Sequence, residues 1–253
     1  MMRKKRQLYH HWEGLKQMNE IIQKRQSIRT YEHTPLDDAT LEALRTEIKN
    51  VTPLYPNIRY SIEITDKPTK GLYNVKAPYY LIFGSEKKDG AHENIGFIGQ
   101  QLDLFLSEIG IGTCWLGIAK PGKAEEKEDS ILPFVICMSF GRPAEPLYRN
   151  LASKPDRKAL EEISEGVDER LEAARLAPNS HNAQNWYFIA QNREIHCYRK
   201  KTNPFVRFVY NRLNAIDVGI AICHIAEESS NFSFLKKPDA PMRTGYVYIG
   251  TVI

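Results

Sequence analysis

The sequence has few cysteines and no long hydrophobic run. Only four cysteines occur in 253 residues, at positions 114, 137, 197 and 223, with no paired spacing. Wide spacing of this kind suits a reducing compartment better than a disulfide framework. The longest apolar run, residues 131–140, is too short to span a bilayer, and no apolar signal segment follows the basic N-terminus. We therefore expect a cytoplasmic protein with no membrane partner.

An excess of charge of one sign is also nearly absent. Lys and Arg total 35 against 31 Asp and Glu, and four of the basic residues stand together at positions 3–6. A cluster this small is more typical of a solvated leader than of a nucleic-acid arm. We interpret residues 1–20 as a polar leader and expect no nucleic-acid partner. The remaining composition, 42% hydrophobic and 26% charged, is that of an ordinary globular protein.

Metal and triphosphate motifs are missing as well. His196-Cys197 and Cys223-His224 are adjacent pairs, but neighbours on a strand point to opposite faces and no ligand spacing recurs. The segment 117–124 is similar to a P-loop, yet it ends in Ala124, where magnesium binding requires Ser or Thr. We expect neither a metal site nor a nucleoside-triphosphate site.

The hydrophobic periodicity predicts alternating helices and strands. Asp37 or Asp38 is the expected N-cap of a first helix, and residues 111–117 are expected to form a glycine-punctuated turn. The other predicted helices span 94–109, 168–176 and 214–228, and the predicted strands span 60–65, 78–84, 132–140, 186–189 and 246–253.

Two segments of the first half return in the second. The sequence at 41–45 is similar to that at 171–175, and the helix beginning at Asn94 matches that beginning at Asn214, with Gly99 opposite Gly219. The offsets are 130 and 120 residues, as a deletion between the two blocks would produce. Two matches in order suggest an internal duplication, with halves at 21–160 and 161–253.

The two predicted halves carry different polar motifs. Only the first contains Arg25-x-Ser27-x-Arg29 and the turn at 112–117, and only the second contains the Asn-rich loop 177–186. Asn, Gln and Ser side chains donate and accept hydrogen bonds without charge, which suits the polar edge of a heterocyclic ring. The alternative is a turn whose Asn and Ser residues satisfy their own backbone. A ligand that needs all three motifs would have one site per chain.

Together these motifs resemble the FMN-dependent nitroreductase family, and more closely its single-chain branch, in which two half-domains are fused into a pseudo-dimer. The resemblance covers roughly residues 20–253 and rests on the segments 25–29, 110–117, 141–145 and 178–186. It implies an α+β fold with FMN bound between the halves. Because fusion would bury the dimer interface within one chain, it also implies a monomer.

The resemblance assigns roles to individual residues. Arg25 and Ser27 would hold the FMN phosphate or ribityl chain, with Gln26 in the same motif, and Arg29 would reach the pyrimidine edge of the flavin. Arg157 matches the family's late phosphate-binding arginine. Leu116 and Gly117 would place a backbone N–H against flavin N5, and the second half would contribute Pro178, Asn179, Ser180, Asn182 and Gln184 to the ring and its substituents.

The implied activity is electron transfer from NAD(P)H through FMN to a small acceptor such as a nitroaromatic or a quinone. No side-chain acid or base is assigned. The chain departs from the family pattern at Asn179, Asn185 and Arg29, where Ser, Pro and Lys are more usual. Two alternatives stay open: FMN chemistry of the dehalogenase or flavin-breakdown type, and a flavin-binding or structural pseudo-dimer without turnover.

Overall fold

The computed structural model describes residues 20–67, 69–70, 75–121, 132–153, 155–202 and 207–253. The predicted polar leader, apart from residue 20, lies outside the described residues, as do positions 122–124 of the P-loop-like segment. The described chain has a mixed α and β fold with two separate sheets.

The first sheet is antiparallel and has the strand order β1-β2-β4-β3. Helix α1, Asp38–Asn50, precedes it and is capped by Asp37, whose Oδ1 accepts from the Thr40 N–H at 2.8 Å, as the sequence predicts. Helix α2, Ala91–Glu108, connects β2 to β3 and packs on both strands. The strands are β1 Tyr60–Thr65, β2 Tyr79–Ser85, β3 Gly112–Leu116 and β4 Phe134–Gly141.

The second sheet has the order β5-β6-β7-β9-β8, with β5 and β6 parallel and the other pairs antiparallel. Its strands are β5 Ser164–Glu165, β6 Trp186–Gln191, β7 Glu194–Lys200, β8 Phe234–Leu235 and β9 Tyr246–Val252. The accompanying helices are α3 Leu160–Ile163, α4 Arg170–Leu176 and α5 Arg207–Glu227. Helix α5 packs on β6 and β7.

Helices α2 and α5 pack directly on each other and join the two sheets through one hydrophobic core. Their backbones approach closely at two glycines. A Cβ on Gly96 would overlap the carbonyl oxygen of Ile216, and a Cβ on Gly219 would overlap that of Glu93. Only glycine permits such contact, so these two positions set the distance between the helices.

The turn predicted at 111–117 is wrong, because residues 112–116 form strand β3. This short strand pairs antiparallel with β4, and Gly112 lies opposite Gly141. The lack of a side chain on Gly112 makes room for Ile28, which packs against it. The two glycines therefore serve close packing within a sheet rather than a change of chain direction.

The predicted starts of the two long helices are several residues late. Helix α2 begins at Ala91 and α5 at Arg207, so Asn94 and Asn214 lie inside their helices. Their side chains bind neighbouring loops instead of capping. Asn94 Oδ1 accepts from the Tyr55 N–H at 2.9 Å, and Asn214 Oδ1 accepts from Asn185 Nδ2 at 3.1 Å. Helix α4 begins at Arg170, two residues later than predicted.

Within the described residues, every helix is too short or too polar to cross a membrane.

Candidate functional site

A cavity of about 470 Å³ lies where β3, the segment 27–29 and helix α5 meet. One part of its wall comes from β3 and the residues that follow, and another from the loop 178–181. Helix α5 supplies an apolar floor of Leu213, Ile216 and Ile220. A cavity of this size, apolar with a few polar groups, is typical of sites for cofactors and small molecules. It joins motifs from both predicted halves.

Ser27 and Arg29 reach the cavity from a segment that lies beside β3. Ile28 between them is fully buried, and its N–H donates to the Thr113 carbonyl at 2.8 Å. The backbone N–H of Arg29 donates to Glu145 Oε1 at 2.6 Å. Among the described residues, the Arg29 guanidinium itself has no hydrogen-bond or ion-pair partner. A cation is therefore available to a ligand in the cavity.

Arg25 does not line the cavity, whereas Ser27 and Arg29 of the same motif do. Arg25 follows the helical residues 20–24, and its Nε lies 2.9 Å from Asp103 Oδ2 in a fully buried ion pair. Thr113 Oγ1 donates to the other oxygen of Asp103. Arg25 Nη2 is buried without a hydrogen-bond partner within the described part of the chain.

Arg25 belongs to a cluster of four arginines, which we call the arginine cluster: Arg25, Arg149, Arg157 and Arg175. Burial, and after it repulsion from Arg149 and Arg25, lowers the pKa of Arg157 to about 10. Burial and the charges of Arg25 and Arg175 also lower the pKa of Arg149. These groups therefore lie close enough to destabilise one another when all are charged.

The positive charge of the arginine cluster is only partly compensated. Arg175 pairs with Glu172 at 2.5 Å, and Asp156 raises the pKa of Arg157. With Asp103, three carboxylates therefore face four guanidinium groups. Arg157 Nε, like Arg25 Nη2, is buried without a partner among the described residues. Unpaired buried donors within an excess of positive charge are what a bound anion would satisfy.

The Asn-rich loop has an unusual backbone. His181, Asn182 and Gln184 have φ values of 54°, 53° and 44°, in the left-handed region that favours glycine. Asn179 supports the turn by accepting from the Gln184 N–H at 2.9 Å and donating to the Ala177 carbonyl at 3.2 Å. The side chain of Asn179 therefore bonds the backbone of its own loop, as the alternative interpretation of this loop expects. Strained residues in one loop often accompany a binding site.

Asn182 and Gln184 do not line the cavity but connect the loop to the arginine cluster. Asn182 Oδ1 accepts from Arg157 Nη1 at 2.6 Å. Gln184 is buried, and its Oε1 accepts from the Lys158 N–H at 2.7 Å. The cavity wall at 178–181 and the arginine cluster are thus parts of one hydrogen-bonded structure.

Other predicted site residues are divided between the cavity and its surroundings. Gly117, Pro178, Asn179 and Ser180 line the cavity, and the Gly117 carbonyl accepts from Arg212 Nη2 at 2.9 Å. Leu116 and Gln26 are outside the lining. Leu116 is buried in a small core with Tyr80 and Cys137, and Gln26 donates to the Pro146 carbonyl at 2.5 Å.

The residues at or near the site that were not predicted include Cys114, Trp115, Arg149 and Asp217. Burial raises the pKa of the Cys114 thiol, and Trp115 Nε1 donates to Gln100 Oε1 at 3.2 Å. Asp217 is the one acid in the apolar stretch 213–226. An isolated acid in an apolar helix could have been recognised in the sequence as a candidate site residue. No feature of the sequence marks Arg149, because its role depends on the arginines that the fold brings near it.

The His-Cys pairs and the P-loop-like segment make other contacts in the structure. Among the described residues, no group of His, Cys, Asp and Glu could hold a metal ion, and all four cysteines are buried free thiols. His196 instead forms a 2.7 Å hydrogen bond with Thr251 Oγ1. In the P-loop-like segment, Lys120 pairs through its backbone with Lys70.

Comparison with known proteins gives a family match and a fold match. The family described as "Putative TM nitroreductase" matches residues 17–229. A structure described as "a putative nitroreductase" from Thermotoga maritima aligns with a TM-score of 0.62 and 19% identity, covering 93% of this chain and 91% of that one. An FMN-dependent nitroreductase from Clostridium difficile R20291 aligns with a TM-score of 0.39 and 16% identity, over 51% of this chain and 90% of that one. No curated protein matches the chain.

Proposed function

The chain belongs to the nitroreductase family, and on that premise we propose that it is an FMN-dependent oxidoreductase. It would take electrons from NADH or NADPH and pass them to a small acceptor such as a nitroaromatic or a quinone. The observation that supports this best is the cavity of about 470 Å³ next to an incompletely neutralised arginine cluster. An apolar slot beside an anion site suits a ring system that carries a phosphate.

The arginine cluster would hold the phosphate of FMN. Arg25 Nη2 and Arg157 Nε are buried donors without partners in the described part of the chain. A phosphate offers several acceptor oxygens and negative charge, so it would satisfy these donors and offset both the burial and the repulsion that lower the pKa of Arg157. Arg149, which was not expected from the sequence, would be a further part of this phosphate site.

The cavity would hold the flavin ring. Ser27, Arg29 and Gly117 would contact it from the first half, and Pro178, Asn179 and Ser180 from the second. The free guanidinium of Arg29 would stabilise negative charge on the pyrimidine edge, while Leu213, Ile216 and Ile220 would exclude water from one side. Bound FMN would supply the hydride and electron chemistry, which no amino-acid side chain provides.

We also propose that the two halves, 21–160 and 161–253, arose by duplication and form a pseudo-dimer within a monomeric chain. Helices α2 and α5 each pack on one sheet and on each other, and their backbone contacts involve Gly96 and Gly219. The direct contact of these two helices supports this reading. The cytoplasmic location expected from the sequence stays a prediction.

The proposal is tested by the visible absorption spectrum of the purified full chain, saturated with FMN and then treated anaerobically with NADH or NADPH. We expect a flavin band that is perturbed by binding and that bleaches with at least one donor. A bound flavin that neither donor reduces would contradict the oxidoreductase assignment. Failure of the protein to bind added FMN would overturn the cofactor assignment itself. The open cavity does not favour the alternative of an occluded, purely structural site.

A further inference from the structure

Asp217 is a buried carboxyl group in the wall of the candidate flavin cavity. It lies on α5 among the apolar side chains of Leu213, Ile216 and Ile220, and only 5% of the residue is exposed. Both of its oxygens lie 3.1 Å from a single donor, the Ser180 N–H. One N–H cannot satisfy two carboxylate oxygens, so at least one oxygen is left for the cavity.

The charged and titratable groups near Asp217 do not neutralise it. Among the described residues, Arg29, Cys114 and His181 line the same cavity, and none of them forms a hydrogen bond or ion pair with Asp217. His181 Nδ1 is instead 2.9 Å from Ser180 Oγ.

In the described part of the chain, the charged groups of the elements packed against α5 are paired away from Asp217. On α2 and β7, Glu93 and Arg199 lie 3.8 Å from each other. On α4, Arg175 pairs with Glu172. Among the other titratable groups that face α5 or belong to it, His224 bonds the Ala173 carbonyl and Gln100, and Arg212 donates to the Gly117 carbonyl. His92 on α2 lies near Arg212, and burial, followed by the charges of Arg212 and Arg199, lowers its pKa and favours its neutral form.

Burial without a counter-ion favours the neutral form of a carboxyl group. Burial raises the pKa of Asp217 to about 8. The hydrogen bond from the Ser180 N–H lowers this pKa, but by less than burial raises it. In its neutral form, Asp217 accepts from Ser180 through one oxygen and carries an O–H donor on the other. The cavity therefore contains a carboxyl group whose neutral form is favoured by burial and can donate a hydrogen bond, a role not expected from the sequence.

We propose that Asp217 is a ligand-contacting residue that binds the flavin ring as a neutral carboxylic acid and that ionisation of Asp217 weakens cofactor binding. This inference rests on the proposed function. The O–H would donate to an acceptor atom of the ring, whereas a carboxylate would present only acceptors and an unpaired charge. Reduction of a flavin adds negative charge to the ring, so an ionised Asp217 would also oppose reduction. Asp217 keeps its proton throughout, and no bond is formed or broken at its carboxyl group.

The test is a fluorescence titration of the FMN-free full chain with FMN at several pH values between 7 and 9. We expect the wild-type dissociation constant to rise up to tenfold per pH unit once Asp217 ionises. Asp217→Asn keeps an acceptor for Ser180 and a donor for the ring but cannot ionise, so its affinity should stay constant across this range.

Glu227→Gln is the matched control. Glu227 lies on the same helix outside the cavity lining, and burial raises its pKa to about 7. This variant should keep the pH dependence of the wild type. If D217N does not fold, a wild-type affinity that is constant from pH 7 to 9 would still overturn the proposal.

A second readout is the midpoint potential of the bound flavin. We expect equal potentials for wild type and D217N at pH 6.5, and a lower potential for the wild type at pH 9. Tight FMN binding with the same pH dependence in both proteins would overturn the role of Asp217 and leave the proposed function intact. Absence of FMN binding by the wild type would overturn both.

Discussion

The surroundings of Asp217 on α5 differ from those of Phe97 on α2. We call the region around Asp217 the binding end of the helix pair and the region around Phe97 the filled end. At the α5 end, Asp217 faces a cavity. At the α2 end, Phe97 stacks on Phe232 with ring centroids 5.5 Å apart, and Tyr55 meets Phe234 edge to face at 5.7 Å. Under the proposed duplication, the offset of 120 residues would make Phe97 the counterpart of Asp217.

If the proposed duplication holds, this difference would account for one site per chain. Aromatic side chains occupy the region of Tyr55 and Phe97, and a Cβ on Gly250 would overlap the Phe234 ring there. The corresponding place on α5 holds a small acid and an open volume. An aromatic core stabilises the fold, whereas a cavity with a buried acid costs stability and provides binding.

Phe97→Ala should produce the largest change in stability. It removes a buried ring from the filled end, and we expect a loss of about 3–5 kcal/mol in the free energy of unfolding. FMN affinity, measured where the variant is still folded, should change less than about twofold. Denaturant unfolding and fluorescence titration check both parts. A large loss of FMN affinity would contradict the division between a filled end and a binding end.

Arg157→Ala should have the largest effect on binding. It removes a charged donor from the proposed phosphate site, worth about 1.5–3 kcal/mol, so FMN affinity should fall roughly 10- to 100-fold. The control is Arg142→Ala, an exposed arginine that pairs with Asp37 at 3.1 Å on the surface. Equal affinities for the two variants would place the phosphate elsewhere.

Asp217→Asn should change how stability depends on pH in the FMN-free protein. The pKa of Asp217 is raised from 3.8 to about 8, so the folded state keeps a proton that the unfolded state loses between these values. Stability therefore falls as pH rises through this window and levels off above it. We expect the stability of D217N relative to the wild type to rise with pH across this window, by up to about 1.4 kcal/mol per pH unit. The two proteins should converge towards pH 4, and denaturation at pH 5 and pH 8 measures the difference. A constant difference at both values would show that Asp217 does not titrate in this range.

Tyr55→Phe should have the smallest effect. The Tyr55 hydroxyl donates to the Ile249 carbonyl at 3.4 Å, a long hydrogen bond, and the ring contact with Phe234 is kept. We expect a loss of about 0.5 kcal/mol in the free energy of unfolding. A loss comparable with that of Phe97→Ala would mean that polar anchoring, rather than ring packing, stabilises the filled end.

Periodicity predicted most of the elements because each strand and helix buries one regular face. Strand β1 at Tyr60–Thr65 has its predicted bounds, and strand β6 begins at Trp186 as expected. Strand β3 could not be recognised, because a five-residue segment containing glycine becomes a strand only when β4 lies beside it. The late helix starts have a similar cause, since Asn94 and Asn214 resemble caps but bind loops from within their helices.

The candidate site was predictable only where the sequence carries local motifs. Ser27, Arg29, Gly117 and the segment 178–180 come together in the cavity. The contribution of Arg149 depends on three other arginines brought near it by the fold. The neutral state of Asp217 depends on burial, which the amino-acid type does not reveal. The motifs can be read from consecutive residues. The charge states of Arg149 and Asp217 depend on neighbours that only the folded chain brings close.

The backbone contacts at Gly96 and Gly219 have a consequence for how this molecule can change over generations. At these points the helix spacing is set by contact of each glycine with a carbonyl oxygen of the other helix, so it does not depend on the size of a side chain there. One end of the helix pair can then exchange an aromatic ring for an acid, or the reverse, without disturbing the other. If the proposed duplication holds, such a frame would allow a binding site to be lost beside one helix and kept beside the other.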